Sequence, residues 1–298
     1  MQPSRATDLD WGALADKIGN RIWRLNNLYY VQDKAGNEVQ FRLNRAQRRL
    51  LKRLHHRNVI LKARQLGYST FILLFGLDVC LFNSGQSLGV IAHTLDDAED
   101  LFRNKIKFAL DRLPAPLQTR LAPKQNSARK LEFPNDSSVT VGTSLRGGTY
   151  QIVHISEYGK ISARYPDKAL EIKTGALETV PADGVVFIES TAEGREGEFY
   201  RLVQGARRLA DQGETLGPLD YRFHFSAWWE ESGYRADPKL AVIHPSLQDY
   251  FRTLEIDHGI TLDDEQKAWY ALKRDGRSGD GLGDEMMKRE YPSCVAQG

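Results

Sequence analysis

The sequence predicts an α/β fold: a mostly parallel sheet flanked by helices, followed by a small accessory subdomain. Three observations predict it. Short apolar runs that read as buried strands, at Asn58 to Lys62, Ser87 to Ala92, Tyr150 to Ile155 and Val185 to Ile188, alternate with helical periods. The chain has 298 residues, 41% hydrophobic and 10% aromatic, enough to bury one large core or two small ones. Past Tyr221-Arg-Phe-His-Phe225 the alternation stops, and Trp228, Trp229, Tyr234 and Pro238 fall in a loop-rich stretch. Composition excludes other classes. Lys+Arg 41 against Asp+Glu 39 leaves a net charge of +2, which with ordinary hydrophobicity argues against disorder. No apolar run reaches the roughly 18–20 residues of a membrane span, and the start, Met1-Gln2-Pro3-Ser4, has no secretory pattern. Cys80 and Cys294 are too few for a disulfide scaffold or a four-cysteine zinc site. A soluble intracellular protein is expected.

The elements follow in order. Trp11, Leu14, Ile18 and Ile22 share the spacing of one helix face, and Leu28 to Phe41 alternate around Ala35-Gly36-Asn37 as a hairpin. Asn44 caps a helix with an apolar stripe of Ala46, Leu50, Leu51 and Leu54. The first buried strand ends in a tight turn, Arg64-Gln-Leu-Gly67, that opens a very apolar helix from Ser69 to Phe82. Thr94 with Asp97 has the capping-box pattern of a helix reaching Leu110, which Pro114 and Pro116 end. Lys130 to Phe133 and Ser137 to Val141 flank Pro134-Asn135-Asp136 as a second hairpin. Further helices are expected near 167–178, 197–211, 262–275 and 283–290.

Four constellations carry candidate chemistry. The turn from Lys62 to Thr70 joins a buried strand to a helix, the setting of a phosphate-binding loop whose backbone N–H groups cradle phosphate oxygens while a hydroxyl, Ser69, ligates magnesium. Aligned on Gly67 and Ser69, the usual pattern puts Lys62 at its first glycine and Tyr68 at its lysine, so positive charge comes instead from Lys62 and Arg64. The bland alternative is an ordinary strand–turn–helix. The apolar run ending in Ser156-Glu157 puts two polar residues at a sheet's carboxyl edge, where a first position orders metal and a second polarises water; its alternative is a solvated glutamate. Ser190-Thr191-Ala192 ends a third strand with hydroxyls suited to a γ-phosphate, or to capping the next element. From Arg42 to Arg64 nine basic residues occur with no acidic one, which reads as a nucleic-acid or phosphate face or, between 48 and 57, as a solvated helix face.

Taken in this order, from a basic-flanked Gln47 onward, the chain resembles the ATPase domain of the large terminase subunit of tailed bacteriophages, the motor that packages DNA into procapsids. The resemblance runs from Phe41 to Pro292 and is carried by LNRAQRRLL, LKARQLGYST, VIAHTLDDAEDLF, SLRGGTYQIVHISEYGKI, FIESTAEG and KREYPS. It implies a RecA-like (ASCE) P-loop core over 44–225, an N-terminal accessory segment over 1–43 and a lid subdomain over 226–298. ATP and Mg2+ are the implied cofactors. Gln47 is implied to read the adenine; Lys62, Arg64, Gly67 and Ser69 to hold phosphates and magnesium; Thr70 to support the loop; and Ser156, where the family more often has aspartate, to order the metal. Glu157 is implied to be the catalytic carboxylate, Ser190, Thr191 and Ala192 to couple hydrolysis to movement, and Arg146 to act in trans on a neighbour's site, with Arg129 a weaker candidate.

The implied partners are double-stranded DNA, a portal protein and procapsid, a small terminase subunit and further copies in a ring. The chain is expected to be monomeric in isolation, to avoid membranes and to work in the host cytoplasm. The family's nuclease domain has no room here: six residues follow Pro292, and Asp263, Asp264 and Asp284 lack a strand framework. No nuclease activity is expected, and the chain reads as one part of a longer or split protein. Two rival readings remain. A helicase-like ATPase needs a second RecA-like domain, and a nucleic-acid-binding module with a degenerate nucleotide site is favoured by Tyr68 and Ser156.

Overall fold

The computed structural model describes residues 17–276, 278 and 280–297; Trp11 and Leu14 lie outside them. Lys17 and Ile18 are helical; after a break at Gly19 and Asn20 a helix, α1 (Arg21–Asn27), begins where Asn20 accepts a hydrogen bond from the Trp23 N–H, so Ile18 and Ile22 lie on either side of that break. The expected hairpin forms from β1 (Tyr30–Gln32) and β2 (Glu38–Gln40), paired antiparallel. A full capping box opens α2 (Arg45–Lys52): Asn44 Oδ1 accepts from the Gln47 N–H at 2.9 Å, and Gln47 Oε1 accepts from the Asn44 N–H at 3.0 Å. Every residue of β3 (Arg57–Lys62) is buried. Arg57 is therefore not part of a solvated basic face: its guanidinium is in the core and donates to the Gly184 carbonyl at 3.2 Å.

Gly67 then takes a left-handed conformation and starts α3 (Tyr68–Phe82). After β4 (Ser87–Ile91), α4 (Leu95–Leu101) passes through a π-helical stretch, Phe102–Lys107, into α5 (Phe108–Leu110). The capping box expected at its start is one-sided, because the Asp97 carboxylate sits 2.9 Å from His93 Nδ1. The two prolines do more than end this helix. Pro114 caps α6 (Ala115–Arg120) and Pro116 sits in its first turn, where a missing N–H costs nothing. Next come β5 (Gln125–Asn126), β6 (Lys130–Glu132), β7 (Ser138–Gly142) and β8 (Ile152–Ser156). Helices α7 (Tyr158–Arg164) and α8 (Pro166–Glu171) lead to β9 (Val185–Ser190), α9 (Gly197–Asp211) and β10 (Tyr221–Ser226). Three helices follow: α10 (Pro245–His258), which the sequence reading missed, α11 (Asp264–Asp275) and α12 (Gly283–Glu290).

The eight larger-sheet strands run in the order β10-β3-β9-β8-β4-β7-β6-β5. β4 pairs in parallel with both β7 and β8, while β6 and β5 close one edge as an antiparallel hairpin. The mostly parallel α/β expectation is met. By its internal contacts the chain forms two compact units. One holds the described residues up to Arg57 with Gly67–Ser156 and Leu170–Phe187; the other holds Asn58–Leu66, Glu157–Ala169 and the residues from Ile188 on.

In the first unit α3 is buried almost throughout, with Phe71, Ile72, Leu73 and Leu74 fully enclosed. Each such side chain contributes roughly 1.5–3 kcal/mol of burial. Asp78 interrupts this apolar helix and is itself fully buried. Arg24 Nε and Nη2 reach its two oxygens at 2.8 and 2.7 Å, and the Tyr29 hydroxyl donates to it at 2.8 Å. The carboxylate thus ties α1 and β1 to α3. In the second unit Trp228 stacks on Trp269 with centroids 5.0 Å apart, Tyr234 stacks on Trp269 at 4.4 Å, and Trp228 Nε1 donates to Ser293 Oγ at 2.8 Å. The stretch that reads as loop in sequence supplies the stacked aromatic rings of this unit.

Candidate active site

Two strand ends and one buried ammonium organise the site. Apolar neighbours make β3 a buried strand, and Lys62 is its last residue, its side chain only 6% exposed. A lysine so placed requires counter-charge. Its Nζ lies 3.0 Å from Glu189 Oε2 and 3.1 Å from Glu157 Oε1. Burial alone would depress the Lys62 ammonium, but the two carboxylates outweigh it and hold the group well above its ordinary value. Glu189, on β9, is fully buried; Glu157 is 39% exposed.

Glu157 is also conformationally unusual. It follows the last residue of β8 and precedes α7 with φ 54° and ψ 44°, a left-handed conformation that non-glycine residues adopt at a cost of order 1–3 kcal/mol. The sharp turn this makes puts a carboxylate at the point where strand becomes helix. Close packing accompanies it: a Cβ on Gly159 would lie 2.7 Å from Ser190 Oγ and 3.0 Å from the Thr191 carbonyl oxygen, so only glycine lets α7 approach the end of β9.

The carboxylate opens on a cleft of about 350 Å³ lined by Lys62, Arg64, Gln65, Glu157, Lys160, Arg164, Thr191, Glu193 and Arg289. Five of these side chains are cationic and two are anionic. Lys160 and Arg164 follow Glu157 by three and seven residues, so the helical repeat sets all three on one side of α7. An excess of cations around an enclosed space favours a multiply charged anion, and the arginines offer the planar forks that suit phosphate.

The loop after β3 is braced by Tyr234 and Glu290. The Arg64 N–H donates to the Glu290 carbonyl at 2.9 Å, and the Arg64 guanidinium pairs with the Glu290 carboxylate. The Tyr234 hydroxyl donates to the Arg64 carbonyl at 2.7 Å, and Arg289 pairs with Glu193 at 2.5 Å. Of these residues Arg64 was a candidate in sequence, and Glu193, Arg289 and Glu290 fall within the strings FIESTAEG and KREYPS. The individual roles of Glu189, Lys160, Arg164, Glu193, Tyr234, Arg289 and Glu290 were not legible, because each is brought to the site by tertiary packing.

The other expected site residues fall as follows. Gly67 has φ 75°, and a Cβ there would lie 2.7 Å from Gln47 Nε2. Gln47 is 3% exposed and both ends of its amide are engaged: Oε1 in the capping box of α2, Nε2 donating to the Gly67 carbonyl at 2.9 Å. Gln47, the residue implied to read an adenine, holds the turn at Gly67. Ser69 and Thr70 lie in the first turn of α3, and Tyr68, at the usual lysine position, is buried at 2% exposure. Ser156 is buried at the end of β8. Ser190, Thr191 and Ala192 are all buried at the end of β9, with Thr191 on the cleft. Arg146 is 71% exposed and paired with Glu171 at 3.0 Å; Arg129 is 57% exposed with Glu99 at 3.7 Å. Neither arginine lines the cleft.

No protein-family model matches the chain, and no curated protein sequence matches it. Among solved structures it is similar to the large terminase of bacteriophage HK97, with 15% identity and a TM-score of 0.57, over 93% of this chain and 54% of that one. It is also similar to an arginine-to-alanine variant of the large terminase ATPase domain of Thermus phage P74-26, with 18% identity and a TM-score of 0.51, over 72% of this chain and 89% of that one. The fold is that of these ATPase domains, as the motif resemblance implied. The chain spans about half the length of the HK97 protein.

Proposed function

We propose that the chain is a magnesium-dependent ATPase of the large-terminase type, which drives double-stranded DNA into a procapsid. The observation that carries this reading is the contact of Glu157, strained and open to a cation-lined cleft, with Lys62 at the end of β3. The residues fit a nucleoside triphosphate. Lys62, Arg64, Lys160, Arg164 and Arg289 supply positive charge around a space of about 350 Å³, and a glycine turn followed by Ser69 opens a helix. Among the described residues no three His, Cys, Asp or Glu side chains cluster as a metal cage. Magnesium is usually held by one or two protein groups plus substrate phosphates. Ser69 and Ser156 are the hydroxyls proposed to order it, Ser156 through water. When bound, magnesium neutralises charge on the phosphates.

The chain's own residues do the rest. Lys62 exchanges its contact with Glu157 for a phosphate oxygen while Glu189 keeps its ammonium charged and in place. Glu157, so released, orients a water and accepts its proton as that oxygen bonds to the γ-phosphorus and the bridging oxygen leaves with the diphosphate. Arg164 and Arg289 stabilise charge on the transferred group from within the subunit, and Arg146 does so from a neighbour in an assembled ring. Thr191 reports loss of the γ-phosphate. Portal protein, procapsid, small terminase subunit and the host cytoplasm belong to the same proposal. Tyr68 does not favour a degenerate site, because it is a core residue and Lys62 carries the charge.

Phosphate release is measured with Mg-ATP over a range of protein concentrations, alongside binding of a slowly hydrolysed ATP analogue. Glu157→Gln is expected to lower turnover by about 10²–10⁴-fold while binding is retained. Magnesium-dependent nucleotide binding absent from the unaltered chain would overturn the proposal.

A further inference from the structure

The cations of α2 are arranged differently from those of the cleft. Arg45, Arg48, Arg49, Lys52 and Arg53 recur at i, i+3, i+4, i+7 and i+8, so they fill one stripe of the helix and its C-cap. The opposite stripe, Ala46, Gln47 and Leu50, is buried. The five side chains surround a concavity of about 410 Å³. Four of them are exposed and Arg49 is half-buried. No acidic residue occurs in sequence between Glu38 and Asp78, and among the described residues no carboxylate pairs with Arg45, Arg48 or Lys52. Like charges three and four apart destabilise a helix. Arg45, Arg48 and Lys52, three and four residues apart, are stabilised by an external polyanion.

The partner's chemistry can be narrowed. The apolar face of α2 is already packed inside the protein, so the helix has nothing to insert into a lipid surface. The stripe holds no aromatic side chain on which unstacked bases would sit, the usual device for single strands. Four of the five cations are arginines, whose forks match phosphate oxygens. Eight helical residues span about 12 Å, over which a duplex presents about seven phosphate charges.

We infer that this stripe of α2 is a contact surface for the phosphate backbone of duplex DNA. The inference deepens the reading above, since it assigns a DNA-contacting face to the same ATPase. It also gives Gln47 a place in that reading. One side of α2 holds DNA phosphates while the other, through Gln47 Nε2 on the Gly67 carbonyl, holds the nucleotide loop. A shift of the helix under DNA load is therefore felt at the loop.

The test is fluorescence anisotropy of a labelled 25-base-pair duplex of mixed sequence with the full chain, titrated over several salt concentrations. The double variant Arg48→Glu, Lys52→Glu is expected to weaken binding at least about tenfold and to reduce the slope of log affinity against log salt by about 2. Arg48→Gln, Lys52→Gln is expected to give a smaller loss and to guard against misfolding of the charge-reversed chain. Arg120→Glu, Lys124→Glu makes the same change of net charge elsewhere and is expected to leave affinity within about twofold. Unchanged affinity and slope in both α2 variants, or no duplex binding by the unaltered chain, overturns the inference. Binding of the ATP analogue, read in the same preparations, separates the two claims: its loss from the unaltered chain with DNA binding intact breaks the ATPase reading and leaves this one standing.

Discussion

Two buried charge clusters in this protein have nearly the same chemistry and different consequences. Asp78 sits inside α3 with both oxygens hydrogen-bonded by enclosed groups, Arg24 and Tyr29, while Arg21, 39% exposed, stands off at 3.6 Å. Lys62 sits at the end of β3 between Glu189 and Glu157, but Glu157 is 39% exposed, strained in φ and open to a cleft. The first cluster is saturated, so it can only hold elements together. The second has one partner that water and ligand can reach, so its ammonium has somewhere else to go. A buried ion pair is thus not by itself a sign of function; an exchangeable partner is.

The sharpest way to break this comparison is Lys62→Met. It removes the exchangeable cation and strands a fully buried Glu189 carboxylate. Turnover is expected to fall by about 10²–10³-fold or more, and stability, from urea unfolding, by about 3–5 kcal/mol. The deficit carries a pH signature. A Lys62 ammonium held above its ordinary value stabilises fully below the unfolded value of about 10.4 and loses that contribution only as pH rises through the folded one. The stability difference should therefore not shrink between pH 6 and pH 9; a difference that does shrink across that window would contradict the assignment of charge.

Asp78→Ala tests the other cluster. It leaves Arg24 buried without its carboxylate and should cost about 3 kcal/mol or more in the same unfolding experiment. Under conditions where the variant is folded, its nucleotide affinity should match that of the unaltered chain. A selective loss of nucleotide binding would erase the distinction between the clusters. Gly67→Ala is expected to cost about 1–3 kcal/mol, from the left-handed backbone and from the crowding of Gln47 Nε2 at 2.7 Å, and to weaken analogue binding. Tyr234→Phe removes one hydrogen bond to the Arg64 carbonyl and should cost about 0.5–1.5 kcal/mol, measurable as a modest loss of stability with the stacked aromatic rings intact.

The α/β class was readable because buried strands and amphipathic helices differ in period, and each run here is long enough to display its own. Caps were readable for the same local reason: Asn44 and Gln47 form the box that their spacing announces. Misreadings came where local rules and packing compete. Pro116 opens a helix, α10 was hidden by its mixed composition, and Arg57 lies in the core although the basic residues that precede it, Arg48, Lys52 and Arg53, are exposed. In the site, Lys62, Glu157 and the turn ending at Gly67 could be picked out, because a strand end, an unusual turn and a terminal carboxylate leave local marks. Glu189 could not, since a glutamate inside an apolar strand carries no mark of the ammonium it will meet.

Sequence alone determined the layered class of the fold, the tight turn ending at Gly67 and the two strand ends that carry Lys62 and Glu157. Each of these follows from residues within a few positions of one another, where backbone geometry sets what is possible. Only the tertiary structure decided that Glu189 and Glu157 share one lysine, that Lys160, Arg164 and Arg289 line the same cleft, and that Glu290 and Tyr234 hold Arg64. Those contacts join residues up to 226 positions apart, and electrostatic pairing acts through space without regard to separation along the chain.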